Sequence, residues 1–128
     1  MNNKKTFLNS IIGETIKKTN TEMSTIIPLK KNKEDAGDEL TLVYSQLYFE
    51  NYTLLIYNNY KIICNNNQTI KIEELVNSRI LRTNEEKDFV ELIFDNNCKL
   101  IIDLRDDAFN GPDAMCLKGP NDLFVVWN

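Results

Sequence analysis

One motif used twice does most to limit what this chain can fold into. Leu55-Ile56-Tyr57-Asn58-Asn59-Tyr60-Lys61-Ile62-Ile63 and Leu92-Ile93-Phe94-Asp95-Asn96-Asn97-Cys98-Lys99-Leu100-Ile101-Ile102 share one plan. Each is an apolar run, an asparagine turn, and a second apolar run carrying one lysine. Asparagine tolerates the left-handed backbone that tight turns require, so both units read as β-hairpins. Repetition of such units implies a meander.

The same signal holds from Leu40 onward. Alternation of Leu40, Leu42, Tyr44 and Tyr48 predicts a strand over 40–49. Residues 53–57 and 60–64 flank the first asparagine turn, and 69–72 follows the polar run 65–68 as a further strand. Residues 73–77 read as one turn. Strands are expected over 78–83 and 89–94, on either side of a charged turn at 84–88, and over 99–104. Two short closing strands, 114–117 and 123–127, are joined by Lys118-Gly119-Pro120-Asn121-Asp122, which is turn chemistry. The expected fold is mainly β with a minor α part: an antiparallel meander, sandwich or curled sheet of about eight strands.

Ahead of this lies a different kind of segment. Phe7, Leu8, Ile11, Ile12 and Ile16 recur at helical spacing, predicting one short N-terminal helix over 5–12 that Gly13 ends. Residues 14–23 continue as an irregular strand. The span 28–39 has little to bury and reads as an exposed, mobile loop. A chain of 128 residues is expected to form a single domain, with 1–39 as leader and 40–128 as β-rich body.

Charge divides along the same line. Residues 1–33 carry seven lysines against Glu14 and Glu22, a net of +5. Residues 34–128 carry eight Lys and Arg against seventeen Asp and Glu, a net of −9. A field of that sign repels nucleic acid and attracts basic proteins. No apolar run approaches the roughly 20 residues a membrane span needs. The basic N-terminus has an interrupted apolar stretch and no small-residue cleavage site, so cytoplasm is the expectation.

Histidine is absent. That removes the commonest general acid–base at neutral pH, and with it Ser-His and Cys-His nucleophile pairs. No Walker loop or GxGxxG occurs. Cys64, Cys98 and Cys116 have no metal-ligand spacing and read as unbridged, buried small hydrophobes. No enzyme, metal or cofactor is expected.

The densest polar segment is Asp103-Leu104-Arg105-Asp106-Asp107-Ala108-Phe109-Asn110-Gly111-Pro112-Asp113. It does not match an EF-hand loop. Its structural reading has Arg105 neutralising a carboxylate and Gly111-Pro112 setting the turn. Its functional reading is an acidic loop facing a partner. Glu85, Glu86 and Asp88 form a second acidic turn, and Glu73-Glu74 a third. Trp127, after Leu123-Phe124-Val125-Val126, is placed by alternation in the core or at its rim.

The stretch from Phe94 through Leu104-Arg105-Asp106, Gly111-Pro112-Asp113-Ala114 and Val126-Trp127 resembles small bacterial proteins of unassigned biochemistry. Gly13-Glu14-Thr15-Ile16 is similar to their opening. Proteins of this kind look like immunity partners of secreted bacterial toxins. The resemblance implies an immunity protein; with the acidic body and the missing catalytic motifs, the expectation is a non-enzymatic protein that neutralises a basic, nuclease-type toxin domain by occluding it. The partner-binding residues expected are Glu85, Glu86, Asp88, Asp106, Asp107 and Asp113. The alternative is a β-rich assembly subunit or homo-oligomer joined through open edge strands.

Overall fold

The computed structural model describes residues 7–26, 40–105 and 113–127. Nine strands run through them: β1 (Lys18–Ile26), β2 (Leu40–Tyr48), β3 (Thr53–Ile56), β4 (Tyr60–Cys64), β5 (Ile80–Glu85), β6 (Phe89–Phe94), β7 (Cys98–Asp103), β8 (Met115–Lys118) and β9 (Phe124–Trp127). All pair antiparallel, in one sheet ordered β1-β2-β3-β8-β9 and a second ordered β4-β7-β6-β5. The mainly-β antiparallel architecture legible in the sequence is the one found.

Alternation explains how the sheets stack. On β6, Val90, Leu92 and Phe94 are buried, and opposite them on β7 lie Ile102, Leu100 and Cys98. The residues between, Phe89, Glu91, Ile93, Lys99, Ile101 and Asp103, are half-buried on the outer face. The larger sheet turns Leu47, Leu54, Ile56, Met115, Leu117, Val125 and Trp127 into the same core, which also takes Leu8, Ile11, Ile16 and Leu75. Burying one such side chain contributes about 1.5–3 kcal/mol. A slip of one residue would exchange buried and exposed sets along a whole strand, so the register is strongly specified.

The two asparagine units part company here. Residues 92–102 do form a hairpin, with Leu92 opposite Leu100 and Asn97 at φ 67°. Residues 55–63 do not. β3 pairs with β2 and β8, whereas β4 pairs with β7, so the chain changes sheets at Tyr57-Asn58-Asn59. The N–H groups of Tyr57 and Asn58 both donate to the Ala114 carbonyl, at 2.9 and 3.1 Å. Asp103 N–H donates to the Asn59 carbonyl at 3.0 Å. Asn58 is 3% exposed, and its Nδ2 donates to the Asp103 carbonyl at 2.7 Å. Here asparagine is a buried cross-link between sheets, and neither Asn58 nor Asn59 has positive φ.

The expectation of three unbridged cysteines is also corrected. Cys64 and Cys98 sit directly opposite one another at the ends of β4 and β7 and form a disulfide, with Cα atoms 3.9 Å apart. Neighbouring Asn65 N–H donates to the Asn97 carbonyl, which places the cysteines in the non-hydrogen-bonded position, where facing side chains approach most closely. Only Cys116 is free, and it is buried. Sequence spacing carries no pairing information; the β4–β7 register supplies it.

Smaller corrections cluster near the N-terminus. Among the described residues, the expected helix amounts to Phe7 and Leu8 running into a 3-10 turn, Asn9–Ile11; Lys5 and Thr6 lie outside them. Gly13, at φ 91°, ends the turn. Residues 14–17 are not yet in β1. Instead Glu14 and Ile16 exchange backbone hydrogen bonds with the 77–80 segment, around the bridge from Thr15 to Arg79. Residues 69–72 supply one bridge, Thr69 to Ile63, before a 3-10 turn over Ile72–Leu75. The loop expected over 28–39 lies outside the described residues.

Two outcomes follow. Replacing Cys64 and Cys98 by Ala removes a closure over 34 residues and lowers unfolding stability by about 3–4 kcal/mol. Urea denaturation with and without reductant measures this, and the variant should be insensitive to reductant. Asn58→Ala leaves the Asp103 carbonyl without that donor and costs about 1–3 kcal/mol, whereas Asn97→Gly, at a left-handed position, changes stability by less than about 0.5 kcal/mol. Equal costs at the two sites would contradict their different roles.

Candidate binding site

The sheet crossing gathers several acidic elements at one end of the sandwich. Leu104 N–H donates to the Asp88 carbonyl at 2.9 Å, tying the β5–β6 turn to the end of β7. Through Asn58 and Asn59 the end of β7 is tied to the crossing, and through Ala114 the crossing is tied to the start of β8. Glu85, Glu86, Asp88, Asp103 and Asp113 therefore share this end.

They do not form one flat patch. Glu86 and Asp88 are exposed on the β5–β6 turn, and Glu85, still in β5, is half-buried. Asp113 lies across the crossing, with Oδ2 4.0 Å from the Cys116 sulfur. Cys116 pairs with Leu55 and Val126 on the outer face of the larger sheet. Asp106 and Asp107 lie outside the described residues. Glu73 and Glu74 sit in the Ile72–Leu75 turn, away from this group, where Glu74 accepts a hydrogen bond from Lys71 N–H at 2.8 Å.

Beside Asp88, the outer face of the smaller sheet forms a concavity of about 480 Å³. Phe89 and Ile101 give it an apolar floor, and Asp88, Lys61, Asp103 and Arg105 stand around it. These residues are neighbours because the register sets Phe89 opposite Asp103 and Lys61 opposite Ile101. Most of the fixed charge here is internally balanced. Arg105 Nε and Nη2 fork onto the Asp103 carboxylate at 2.7–3.2 Å, and Lys99 lies 3.4 Å from Glu91. Neutralisation of a carboxylate by Arg105 is what the sequence led us to expect. The apolar floor was missed: it consists of the outward residues of two strands, and outward apolar residues carry no signature until their neighbours are known.

The Arg105 hydrogen bonds hold the Asp103 carboxyl below the usual carboxylate range. On the opposite face, burial first, then Cys116 and Asp113, push the Tyr57 hydroxyl up. Burial, with Asp113 adding to it, likewise raises the Cys116 thiol, so this is not an activated nucleophile. Tyr44 is raised by its 2.6 Å hydrogen bond to Glu22. Among the described residues, no three His, Cys, Asp or Glu side chains converge to hold a metal ion. No described helix is long and apolar enough to cross a membrane.

These features define an antiparallel β-sandwich carrying a charged-rimmed, apolar-floored hollow at one end. Comparison with protein-family models, with curated proteins and with solved structures found no match.

Asp103 supplies a pH test. A depressed folded-state pKa contributes stability above the unfolded value, lost as pH falls through the folded one. Arg105→Ala returns the Asp103 titration upward to the ordinary range in a carboxyl NMR titration. An unmoved midpoint would show that the guanidinium is not its cause.

Proposed function

We propose that this chain is a non-enzymatic binding protein whose acidic end receives a basic protein domain. The observation that carries this reading is the Phe89–Ile101 floor beside the exposed Glu86–Asp88 turn. Productive interfaces pair an apolar, water-excluding centre with a polar rim, and this hollow has that anatomy. The floor supplies affinity by burial. The carboxylates steer a cationic surface toward it and set orientation.

Taken with the expectation drawn from the sequence pattern of Phe94–Trp127, the specific form of the proposal is neutralisation of a toxin domain by occlusion. Nothing is turned over. The compartment expected from the sequence was the cytoplasm, but thiols there are kept reduced. The Cys64–Cys98 disulfide favours an oxidising compartment over that expectation.

The test uses the product of the neighbouring reading frame as ligand, by calorimetry at several salt concentrations. Glu86→Lys with Asp88→Lys should weaken binding by at least about tenfold and flatten its salt dependence. Phe89→Ala should weaken binding by about 1–3 kcal/mol with the salt slope unchanged. If both variants bind as the parent does, the acidic end is not the interface.

A further inference from the structure

One extra residue in β5 decides what the outer face of the smaller sheet carries toward its disulfide end. β5 and β6 pair with Ile80 opposite Phe94 and then with Arg82 opposite Ile93, so Leu81 is bulged between them. Unbroken pairing would set Leu81 opposite Ile93 and Arg82 opposite Leu92, whose side chain is buried. Side chains alternate between faces along a strand, so that register would turn a guanidinium into the core. The bulge puts Arg82 on the outer face instead and leaves Leu81 45% exposed beside it.

A row across all four strands follows, in which Arg82, Ile93, Lys99 and Ile63 each lie opposite the next. With Leu81 and Glu91 they line a concavity of about 630 Å³. Lys99 Nζ lies 3.4 Å from the Glu91 carboxylate, whereas Arg82 has no carboxylate partner among the described residues. Two cations against one carboxylate leave a single positive charge at this place, in a body that is otherwise strongly acidic. Asn65, Asn67 and Asn97 add three exposed carboxamides, each with N–H groups to donate. Both bridged cysteines also line the concavity, and their bond closes β4 onto β7 there, so this wall is fixed.

We propose that this concavity binds a small amphiphilic monoanion, a carboxylate carried on an aliphatic tail. Arg82 and Lys99 stand two strand spacings apart, about 10 Å, with Ile93 between them. A carboxylate above Ile93 is within reach of both long side chains. The guanidinium fork matches its two oxygens, and the ammonium has donors beyond the one that meets Glu91. The tail lies on Ile63, Ile93 and Leu81, which are apolar and partly exposed. A single net positive charge suits a monoanion, whereas Glu91 and the acidic body repel a phosphate dianion more strongly. Neither Phe89 nor Ile101 lines this concavity, so the site stands whether or not their hollow receives a protein.

NMR titration of the isotope-labelled, disulfide-intact chain with sodium octanoate, over roughly 0.05–5 mM, tests this. Saturable shifts are expected at the Leu81, Arg82, Ile93 and Lys99 amides and at Arg82 Nε. Octanamide keeps the tail without the charge, and acetate keeps the charge without the tail. Each should bind at least about tenfold more weakly than octanoate. Arg82→Gln should weaken octanoate binding at least about fivefold while the rest of the spectrum is unchanged. Shifts that are absent or do not saturate overturn the proposal. So does octanamide or acetate binding as tightly as octanoate, or inorganic phosphate binding more tightly. An Arg82→Gln chain that binds octanoate as the parent does overturns it too. Because the ligands are compared on the parent chain, a misfolded variant leaves the proposal open to refutation.

Discussion

Most of this architecture depends on one carbonyl and one carboxamide. Ala114 O accepts two backbone N–H groups from the Tyr57-Asn58 corner, and the Asn58 side chain reaches the Asp103 carbonyl. Both interactions are buried, where an unpaired polar group costs about 1–3 kcal/mol. They oblige β3 and β4 to part into separate sheets, and so create the shared core between them. They also bring the end of β7 and the start of β8 to the same place. The β5–β6 turn is held there in turn through Leu104. At the far end of β4 and β7, the Cys64–Cys98 bond closes the same strand pair.

The electrostatics are more local than the charge totals suggest. The body carries a large acidic excess, yet Asp103 is held by Arg105 and Glu91 by Lys99. The exposed acids at this end, Glu86 and Asp88, stand next to an apolar hollow, while Asp113 faces Cys116 on the other sheet. A rim of this kind governs how fast and in which orientation a partner arrives. Burial of Phe89 and Ile101 governs how firmly it stays.

How far the chain could be read in advance varied from element to element. β6 is bounded as expected, 89–94, because a short apolar run lies between the charged turn at 84–88 and the polar turn Asp95-Asn96-Asn97. The closing strands and Trp127 in the core followed from the same periodicity. The first asparagine unit misled because apolar run, Asn-Asn, apolar run has two physical solutions. Asparagine either adopts positive φ at a solvated hairpin, as at Asn97, or buries its amide as a tie, as at Asn58. Local sequence does not distinguish them, since the deciding acceptor is 45 residues away. The disulfide was hidden for a related reason, since its cysteines come together only once β4 and β7 are in register.

What the sequence by itself determined is the strands from β2 onward, apart from the one expected over 69–72, and the lack of any imidazole, because strand-forming runs and residue inventory are local properties. Tertiary structure alone decided which strand lies beside which. That choice set the sheet change at Asn58, the cysteine pairing, and the hollow over Phe89 and Ile101. The physical reason is that strand neighbours are selected by long-range hydrogen bonds and shared burial, and these exist only after distant segments meet.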